Sequence, residues 1–311
     1  MKKWLFIAPL GLMFACGGNE TSTEAPVVLE TMEDKIGYVL GALNAESIMQ
    51  SGDKMKDLDK NELIAGFNEN LNTKDCSECD EELKKLFGPY YQDFDTTYLK
   101  SGSKCLGRKT GFSFYSDMIR MGGAKKLNLD MVKAGFKHGL YETDTLIADQ
   151  DRQVMVQDFI MNLNVTNGDK MMAKAKKVNG VQIFDNGVIL QTIKEGTGKS
   201  PSATDDVIVE YILTNALGDT VQSSYEMKKQ SGSTEPVALS LNGGVIPGWS
   251  FVLPKMKKGG KYRTYIPWTL AYGEQAGKES LCFVIELIEI GAGGTLVKPQ
   301  PQQQVPQQGG F

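Results

Sequence analysis

The chain has a single histidine, His138, among its 311 residues. Imidazole is the usual general base of enzymes and a common ligand of zinc, so one histidine excludes most catalytic triads and most zinc enzymes. Positive charge is also scarce: 34 Lys and Arg stand against 38 Asp and Glu, and the net charge is -4. Nucleic acids bind basic surfaces, so the sequence predicts no nucleic-acid partner.

The sequence also lacks the roughly 18 consecutive apolar residues that a transmembrane helix needs. Its apolar stretch at residues 4–15 is shorter, follows two lysines, and contains a proline and a glycine. This pattern predicts a signal peptide over residues 1–15. Residues 13–16 (MFAC) resemble the lipobox of bacterial lipoproteins, in which Cys16 carries the lipid; an ordinary thiol is the alternative. We expect a lipoprotein anchored to a membrane of the bacterial cell envelope, with residues 16–31 as a flexible tether.

Proline is nearly absent from residues 32–178, where Pro89 stands alone. Apolar residues recur there at helical spacing, for example at Ile36, Val39 and Leu40. Because proline interrupts helices and helical spacing gives each helix one apolar face, this region predicts an all-helical domain.

Two copies of one pattern occur in the helical region, at about residues 35–100 and 105–165. The matching segments are 35–38 (KIGY) with 109–112 (KTGF), 65–67 (AGF) with 134–136 (AGF), and 92–94 (QDF) with 157–159 (QDF). Each copy predicts three helices, and two such units can bury each other's apolar faces. The duplication therefore favours a monomer, in which the second copy replaces a second chain.

Cysteines other than Cys16 are few, and three of them lie in the helical region. Cys76 and Cys79 form a Cys-x-x-Cys pair, and Cys105 follows later. In an oxidising envelope we expect a disulfide, either within the pair or from one of its members to Cys105. Free thiols and a metal or redox site are the alternatives, although zinc has too few ligands nearby and no strand leads into the pair.

After Lys177 the sequence changes to short runs rich in β-branched residues, separated by turns. We predict strands at 181–184, 188–193, 207–214, 237–241, 261–266 and 281–290, with one short helix within 248–257. The fold class is therefore α+β: a duplicated three-helix domain over residues 32–178, followed by an antiparallel half-barrel sheet over 179–290. Residues 291–311 are mainly Gly, Pro and Gln and predict a disordered tail.

Several ordered motifs in the second half resemble the FKBP-type peptidyl-prolyl cis-trans isomerase domain. They are 195–198 (EGTG), 203–205 (ATD), 209–211 (VEY), 245–249 (VIPGW), 256–261 (MKKGGK), 265–267 (YIP), 271–274 (AYGE) and 283–287 (FVIEL). The resemblance covers residues 180–290. The helical half resembles, more weakly, the dimerisation segment of two-domain envelope FKBPs of the Mip type, which implies a homodimer, but the duplication departs from that segment.

The resemblance implies an enzyme that twists X-Pro bonds in proline-containing or unfolded polypeptides without a metal or cofactor. The amide resists rotation by ~20 kcal/mol, and an apolar pocket favours the twisted state, which has lost resonance and charge separation. The implied pocket has Trp249 as its floor and Tyr272 as a hydrogen-bond donor to a substrate carbonyl. Its other residues are Tyr211, Val221, Gln222, Leu239, Val245, Ile246 and Phe283.

Three features depart from the family pattern. Where the family reads Phe-Asp-Ser-Ser, residues 221–224 read VQSS, so an aromatic wall becomes Val221 and a carboxylate becomes the neutral Gln222. A second aromatic wall becomes Leu239, and the loop after Tyr272 shortens to residues 274–279. We expect a shallower, wetter pocket with reduced isomerase activity. The alternative is a non-catalytic chaperone or client-binding module on the same frame.

Overall fold

The computed structural model describes residues 26–71, 74–90, 93–143 and 146–297. The predicted signal peptide, Cys16 and most of the tether lie outside the described residues, as do residues 298–311 of the tail. Within the described ranges, no helix combines the length and the apolar character needed to cross a membrane.

The first half of the described chain is helical. Its α-helices are α1 (Met32–Gln50), α2 (Lys60–Glu69), α3 (Cys79–Phe87), α4 (Leu99–Arg120), α5 (Leu129–Tyr141) and α6 (Asp149–Ala175). Polar residues fix several starts: Thr31 and Asp34 form a capping box on α1, and Asp59 and Asn128 accept hydrogen bonds from backbone N–H groups of α2 and α5.

The two copies interlock, because the first helix of each packs on the second helix of the other. A Cβ added at Gly41 of α1 would lie 2.0 Å from the carbonyl oxygen of Val132 on α5. In the same way, a Cβ at Gly107 of α4 would lie 2.1 Å from the carbonyl oxygen of Leu63 on α2. Both pairs of backbones touch, and only glycine leaves room for this approach.

The alignment of the second copy on the first follows from these contacts. Gly66 and Gly135 make equivalent contacts, and the rings of Phe67 and Phe136 stack on each other with centroids 3.7 Å apart. The structure thus agrees with the match of 65–67 with 134–136. The match of 35–38 with 109–112, which pairs Gly37 with Gly111, is wrong in register, because Gly41 is equivalent to Gly107 and Gly37 therefore corresponds to Ser103.

The third match joins segments of different structure. Phe94 lies in an irregular segment before α4, whereas Phe159 lies within α6, and Gln92 is outside the described residues. Both phenylalanines pack against the helical core, but they do so from different local structures.

His138, the single histidine of the chain, contributes to the contact between the two copies. Its Nδ1 atom lies 2.8 Å from the hydroxyl of Tyr38, so the hydrogen bond joins α5 to α1. This pairing of a half-buried imidazole with a buried phenol is a packing contact within the helical half.

The second half is one antiparallel sheet with two short α-helices. Its elements are β1 (Val181–Ile183), β2 (Ile189–Lys194), β3 (Asp206–Thr214), β4 (Thr220–Ser223), α7 (Ser224–Ser231), β5 (Val237–Ser240), α8 (Pro247–Val252), β6 (Lys261–Ile266) and β7 (Leu281–Gly291). The strand order is β1-β2-β6-β7-β3-β4, and β5 also pairs with β3. The predicted α+β fold, helical first and antiparallel second, is confirmed.

Some local predictions in this half need correction. β4 and α7 were not predicted, because β4 is short and largely exposed and therefore has no apolar alternation. The predicted helix within 248–257 is α-helical only to Val252, since Pro254 lacks the N–H that would continue it, and Leu253–Lys255 form a 3₁₀ turn.

The first residues of the predicted disordered tail are ordered. Gly291 ends β7, and the backbone N–H groups of Leu296 and Val297 each donate to Oδ2 of Asp206 over 3.1 Å. The bond from Val297 contributes most to holding the pKa of the Asp206 carboxyl below its usual range. The tail is therefore fastened to the start of β3 up to Val297.

Candidate active site

A cavity of about 370 Å³ lies beside α8. Its lining residues come from strands β3, β4, β5 and β7, from the start of α8, and from the segments before α8 and after β6. They are Tyr211, Gln222, Leu239, Gly243, Gly244, Val245, Ile246, Trp249, Tyr272 and Phe283. The structure thus gathers all the predicted pocket residues except Val221 around one space.

Trp249 forms the floor because α8 sits close to the sheet. A Cβ added at Gly248 would lie 2.5 Å from the side chain of Ile266 on β6, so glycine allows this approach. The indole contacts Tyr211 and Phe283 edge to face, with ring centroids 5.4 Å and 5.1 Å away. These contacts fix the orientation of three aromatic rings around the cavity.

Strand geometry explains the inward direction of the walls. Tyr211 on β3 lies on the same face of the sheet as the buried Val209 and Leu213, and Leu213 lies opposite Phe283 of β7. Val245 and Ile246 are half-buried and lead into α8, whose first turn begins with Pro247. Side chains far apart in sequence therefore face one space.

The polar groups of the cavity are neutral. None of its lining residues is acidic or basic. Burial raises the pKa of Tyr211, and the nearby Tyr272 adds to the effect, so the Tyr211 phenol stays protonated near neutral pH. Tyr272 stands at the mouth with 58% of its surface exposed. Two hydroxyl groups can donate hydrogen bonds here, and apart from the amide of Gln222 the other side chains that line the cavity are mainly apolar.

Neighbouring residues of β4 differ in position. Gln222 lines the cavity, and its Nε2 lies 3.4 Å from Sδ of Met227 on α7. Val221 is 56% exposed and does not line the cavity, which corrects its predicted place as a wall. Successive side chains of a strand point to opposite faces, and valine is too short to reach back.

A buried polar contact holds β4 and α7 in place. Oγ of Ser224 accepts a hydrogen bond from the backbone N–H of Tyr211 over 2.9 Å and donates to the carboxylate of Glu210, which also pairs with Lys228. Because Ser224 is fully buried, these bonds fix the point at which β4 becomes α7. The position of Gln222, two residues earlier, follows from it.

Two lining residues were missed by the sequence reasoning. Gly243 and Gly244 border the cavity next to Val245. Gly243 has a φ of 82°, and a Cβ at Gly244 would lie 2.7 Å from the carbonyl oxygen of Ser240. Consecutive glycines after a predicted strand signal a turn, but backbone-only contributors to a pocket carry no chemical signal.

The shortened loop after Tyr272 does not cover the cavity. Residues 274–276 form a 3₁₀ turn, and no residue from 273 to 280 belongs to the lining. Lys278 Nζ pairs with Glu274 over 2.8 Å and lies over the ring of Trp268. The loop thus folds on itself beside the cavity mouth.

The three cysteines of the helical half lie together as free, buried thiols. Cys79 interacts with both Cys76 and Cys105, and burial is the main reason why the pKa of Cys76 is raised to about 11 and that of Cys79 to about 12. In the described part of the chain, no group of three or more His, Cys, Asp or Glu side chains is arranged to hold a metal. The disulfide stays a prediction.

Comparison with known proteins identifies the family. Residues 198–288, which contain the whole cavity lining, match the family described as FKBP-type peptidyl-prolyl cis-trans isomerase. The FKBP-type isomerase FkpA of Escherichia coli K12 is 30% identical over 197 residues, which are 57% of this chain and 67% of FkpA. The chain belongs to the FKBP-type peptidyl-prolyl cis-trans isomerase family.

Other similarities extend beyond the isomerase domain. Outer membrane protein MIP of Legionella longbeachae is 25% identical over 184 residues, covering 53% of this chain and 76% of MIP. The crystal structure of FkpA from Escherichia coli aligns with 64% of this chain and 99% of FkpA, at 28% identity and a TM-score of 0.38.

Proposed function

We propose that this FKBP-family protein is a lipid-anchored folding factor of the bacterial cell envelope that binds X-Pro segments of client proteins and isomerises them slowly. The observation that carries the proposal is the cavity floored by Trp249, with apolar walls, two tyrosine hydroxyls and no charged group. Such a site favours the less polar twisted amide without a nucleophile or metal.

Slow catalysis follows from what the cavity lacks. The amide of Gln222 takes the position at which the family pattern has a carboxylate, and it already contacts Met227. Val221 points away, and the loop after Tyr272 leaves the mouth open. Fewer fixed dipoles and more water reduce the stabilisation of the twisted state.

The envelope location rests on the amino terminus and on the relatives. Cys16 follows a signal-like apolar stretch, and one similar protein bears the name outer membrane protein. The measurement is the partition of the full chain between membrane and aqueous fractions. We expect the wild type in the membrane fraction and Cys16→Ser in the aqueous one; equal partition would contradict lipid anchoring.

A non-catalytic chaperone is the second candidate, because the exposed Tyr272 and Val221 leave an apolar rim that binds unfolded chain without twisting it. The same assay separates the two functions. Refolding of a proline-limited protein is followed with the chain that begins after Cys16 and with its Trp249→Ala and Tyr272→Phe variants.

Acceleration that falls in both variants supports the isomerase, and Tyr90→Phe, an exposed tyrosine of the helical half, serves as the matched control. Tyr272 is exposed, so its loss of one hydroxyl leaves the fold intact. Absence of acceleration together with suppressed aggregation of the substrate would contradict the isomerase and favour the chaperone.

A further inference from the structure

The helical half touches the isomerase domain at the loop that follows Tyr272. Nδ2 of Asn164 on α6 donates to the carbonyl oxygen of Gly277 over 2.9 Å. One turn later, a Cβ added at Gly168 would lie 2.6 Å from Oγ of Ser280. Since Gly168 and Ser280 are both buried, α6 packs directly on the loop.

The helix that holds this loop is itself fixed to the helical core. Nδ2 of Asn167 donates to the carbonyl oxygen of Met121 over 2.9 Å, and the buried Leu163 packs beside Gly123. Arg120 also pairs with Asp219 of the isomerase domain, but this pair is half exposed and contributes little. The close contact along α6 is therefore the main connection.

The loop behaves as one closed unit from Trp268 to Ser280. Oγ of Ser280 accepts a hydrogen bond from the backbone N–H of Trp268 over 3.2 Å, and the N–H of Lys278 donates to the carbonyl oxygen of Gly273 over 3.1 Å. Tyr272 projects from this unit towards the cavity and is largely exposed. Its position is therefore set by the loop rather than by packing of its own ring.

Two residues of the loop have left-handed backbone conformations. Lys278 has a φ of 56°, a left-handed value that costs free energy for a residue other than glycine. Gly277 beside it has a φ of 74°. Such conformations persist where surrounding contacts fix them, and the contact of Gly277 with Asn164 is one of these.

We propose that Asn164 and Gly168 are positioning residues for Tyr272, so that α6 of the helical half acts on the substrate site through the loop. The proposal rests on the proposed function, since it assigns to Tyr272 a contact with the bound X-Pro segment. The helical half then acts on the pocket directly, by holding the loop that the family pattern would fold over the substrate.

The test compares Asn164→Asp, which removes the donated hydrogen bond at constant size, with Gly168→Ala, which forces α6 away from Ser280. Asp169→Asn, on the exposed side of the same helix, is the matched control. Amide hydrogen exchange of residues 273–280 is measured in the chain that begins after Cys16. Affinity for a Leu-Pro tetrapeptide is followed by Trp fluorescence, and kcat and KM by refolding.

We expect exchange at Gly277 and Lys278 to rise about tenfold in both variants, while exchange in β3 and β7 stays unchanged. Peptide affinity and kcat/KM should each fall about threefold, with the loss in KM. Unchanged exchange would overturn the proposal, and so would faster exchange with unchanged affinity. If the wild type accelerates no refolding, the proposed isomerase function fails, but exchange and affinity still decide the role of α6.

Discussion

At the residue scale, the pocket has the aromatic residues of the family pattern but differs from that pattern at single positions. Trp249, Tyr211 and Phe283 keep their edge-to-face contacts, whereas Gln222 supplies an amide in place of a negative charge. An amide dipole interacts more weakly than a carboxylate with the peptide bond as it twists, above all in a cavity of low polarity. We therefore expect weaker stabilisation of the twisted amide at this one position, within a cavity whose aromatic contacts are in place.

Restoring the carboxylate should raise activity. In Gln222→Asp, we expect kcat/KM for prolyl isomerisation to increase about threefold or more, because a fixed charge replaces a dipole beside the reacting amide. Refolding kinetics provide the measurement, and Gln182→Asp on the exposed β1 is the control. An unchanged or lower rate in a folded Gln222→Asp variant would show that the missing charge does not limit catalysis.

The thiols of the helical half give a second prediction at this scale. Cys79 interacts with both Cys76 and Cys105, so the predicted disulfide should include Cys79. Refolding in a glutathione redox buffer should give a chain lighter by two hydrogen atoms, as read by intact mass. Glutathione disulfide accepts the two electrons and two protons. Cys79→Ser should abolish the change, and Cys76→Ser or Cys105→Ser should keep it.

The rate of disulfide formation in the folded chain provides the control for this prediction. In the folded, reduced chain the raised pKa values leave little thiolate at about pH 8, so the same buffer should oxidise it far more slowly than the refolding chain. Equal rates in the two states, or a bond that persists in Cys79→Ser, would be inconsistent with this arrangement.

At the element scale, helix pairing decides the first half. Four glycines sit where backbones cross, on α1 and α4 and on α2 and α5: Gly41, Gly107, Gly66 and Gly135. Their repetition was visible in the sequence only for the AGF motifs, because the glycines of α1 and α4 share only the preceding leucine among their near neighbours. The equivalence of Gly41 and Gly107 is shown by their contacts in the structure and not by the amino-acid sequence.

One methyl group added at such a helix crossing should lower the stability of the protein. A Cβ at Gly135 would lie 2.0 Å from the carbonyl oxygen of Tyr38, so Gly135→Ala should lower the free energy of unfolding by about 2 kcal/mol or more. Urea denaturation measures this. Gly52→Ala is the control, since its φ of 162° is extended and nothing lies within 4 Å of the added Cβ. Similar losses in both variants would exclude close helix approach as the cause.

At the scale of the whole molecule, the duplication gives the chain its own pairing partner. α1 packs on α5 and α2 on α4, with Phe67 stacked on Phe136 where the copies meet. The helical faces that the resemblance to a dimerisation segment would assign to a second chain therefore pack against each other within one chain. We propose that the protein is a monomer, with one helical half and one isomerase domain.

The monomer is tested by light scattering coupled to size-exclusion chromatography on the chain that begins after Cys16. We expect the mass of one chain, unchanged over about a hundredfold range of concentration, because α1, α2, α4 and α5 bury their close contacts against one another within the chain. A mass that doubles as concentration rises would contradict the internal pairing and favour the homodimer that the Mip resemblance implies.

The sequence alone determined the division into a helical half and a sheet, and the family. It also predicted every side chain that lines the cavity, although it added Val221 and missed Gly243 and Gly244. Periodicity and motif spacing involve residues that are close together in sequence, and they indicate which side chains face a core. It also indicated the loss of the carboxylate at Gln222, because a change of residue type needs no coordinates.

Only the tertiary structure decided which elements touch. Three features depend on residues distant in sequence. They are the register of the two copies, the hydrogen bonds of residues 296–297 to Asp206, and the contact of α6 with the loop after Tyr272. Glycine and backbone groups make several of these contacts, and they carry no periodic or chemical signal. Close packing between segments that are distant in sequence is a property of the folded chain, so it can be read only from the tertiary structure.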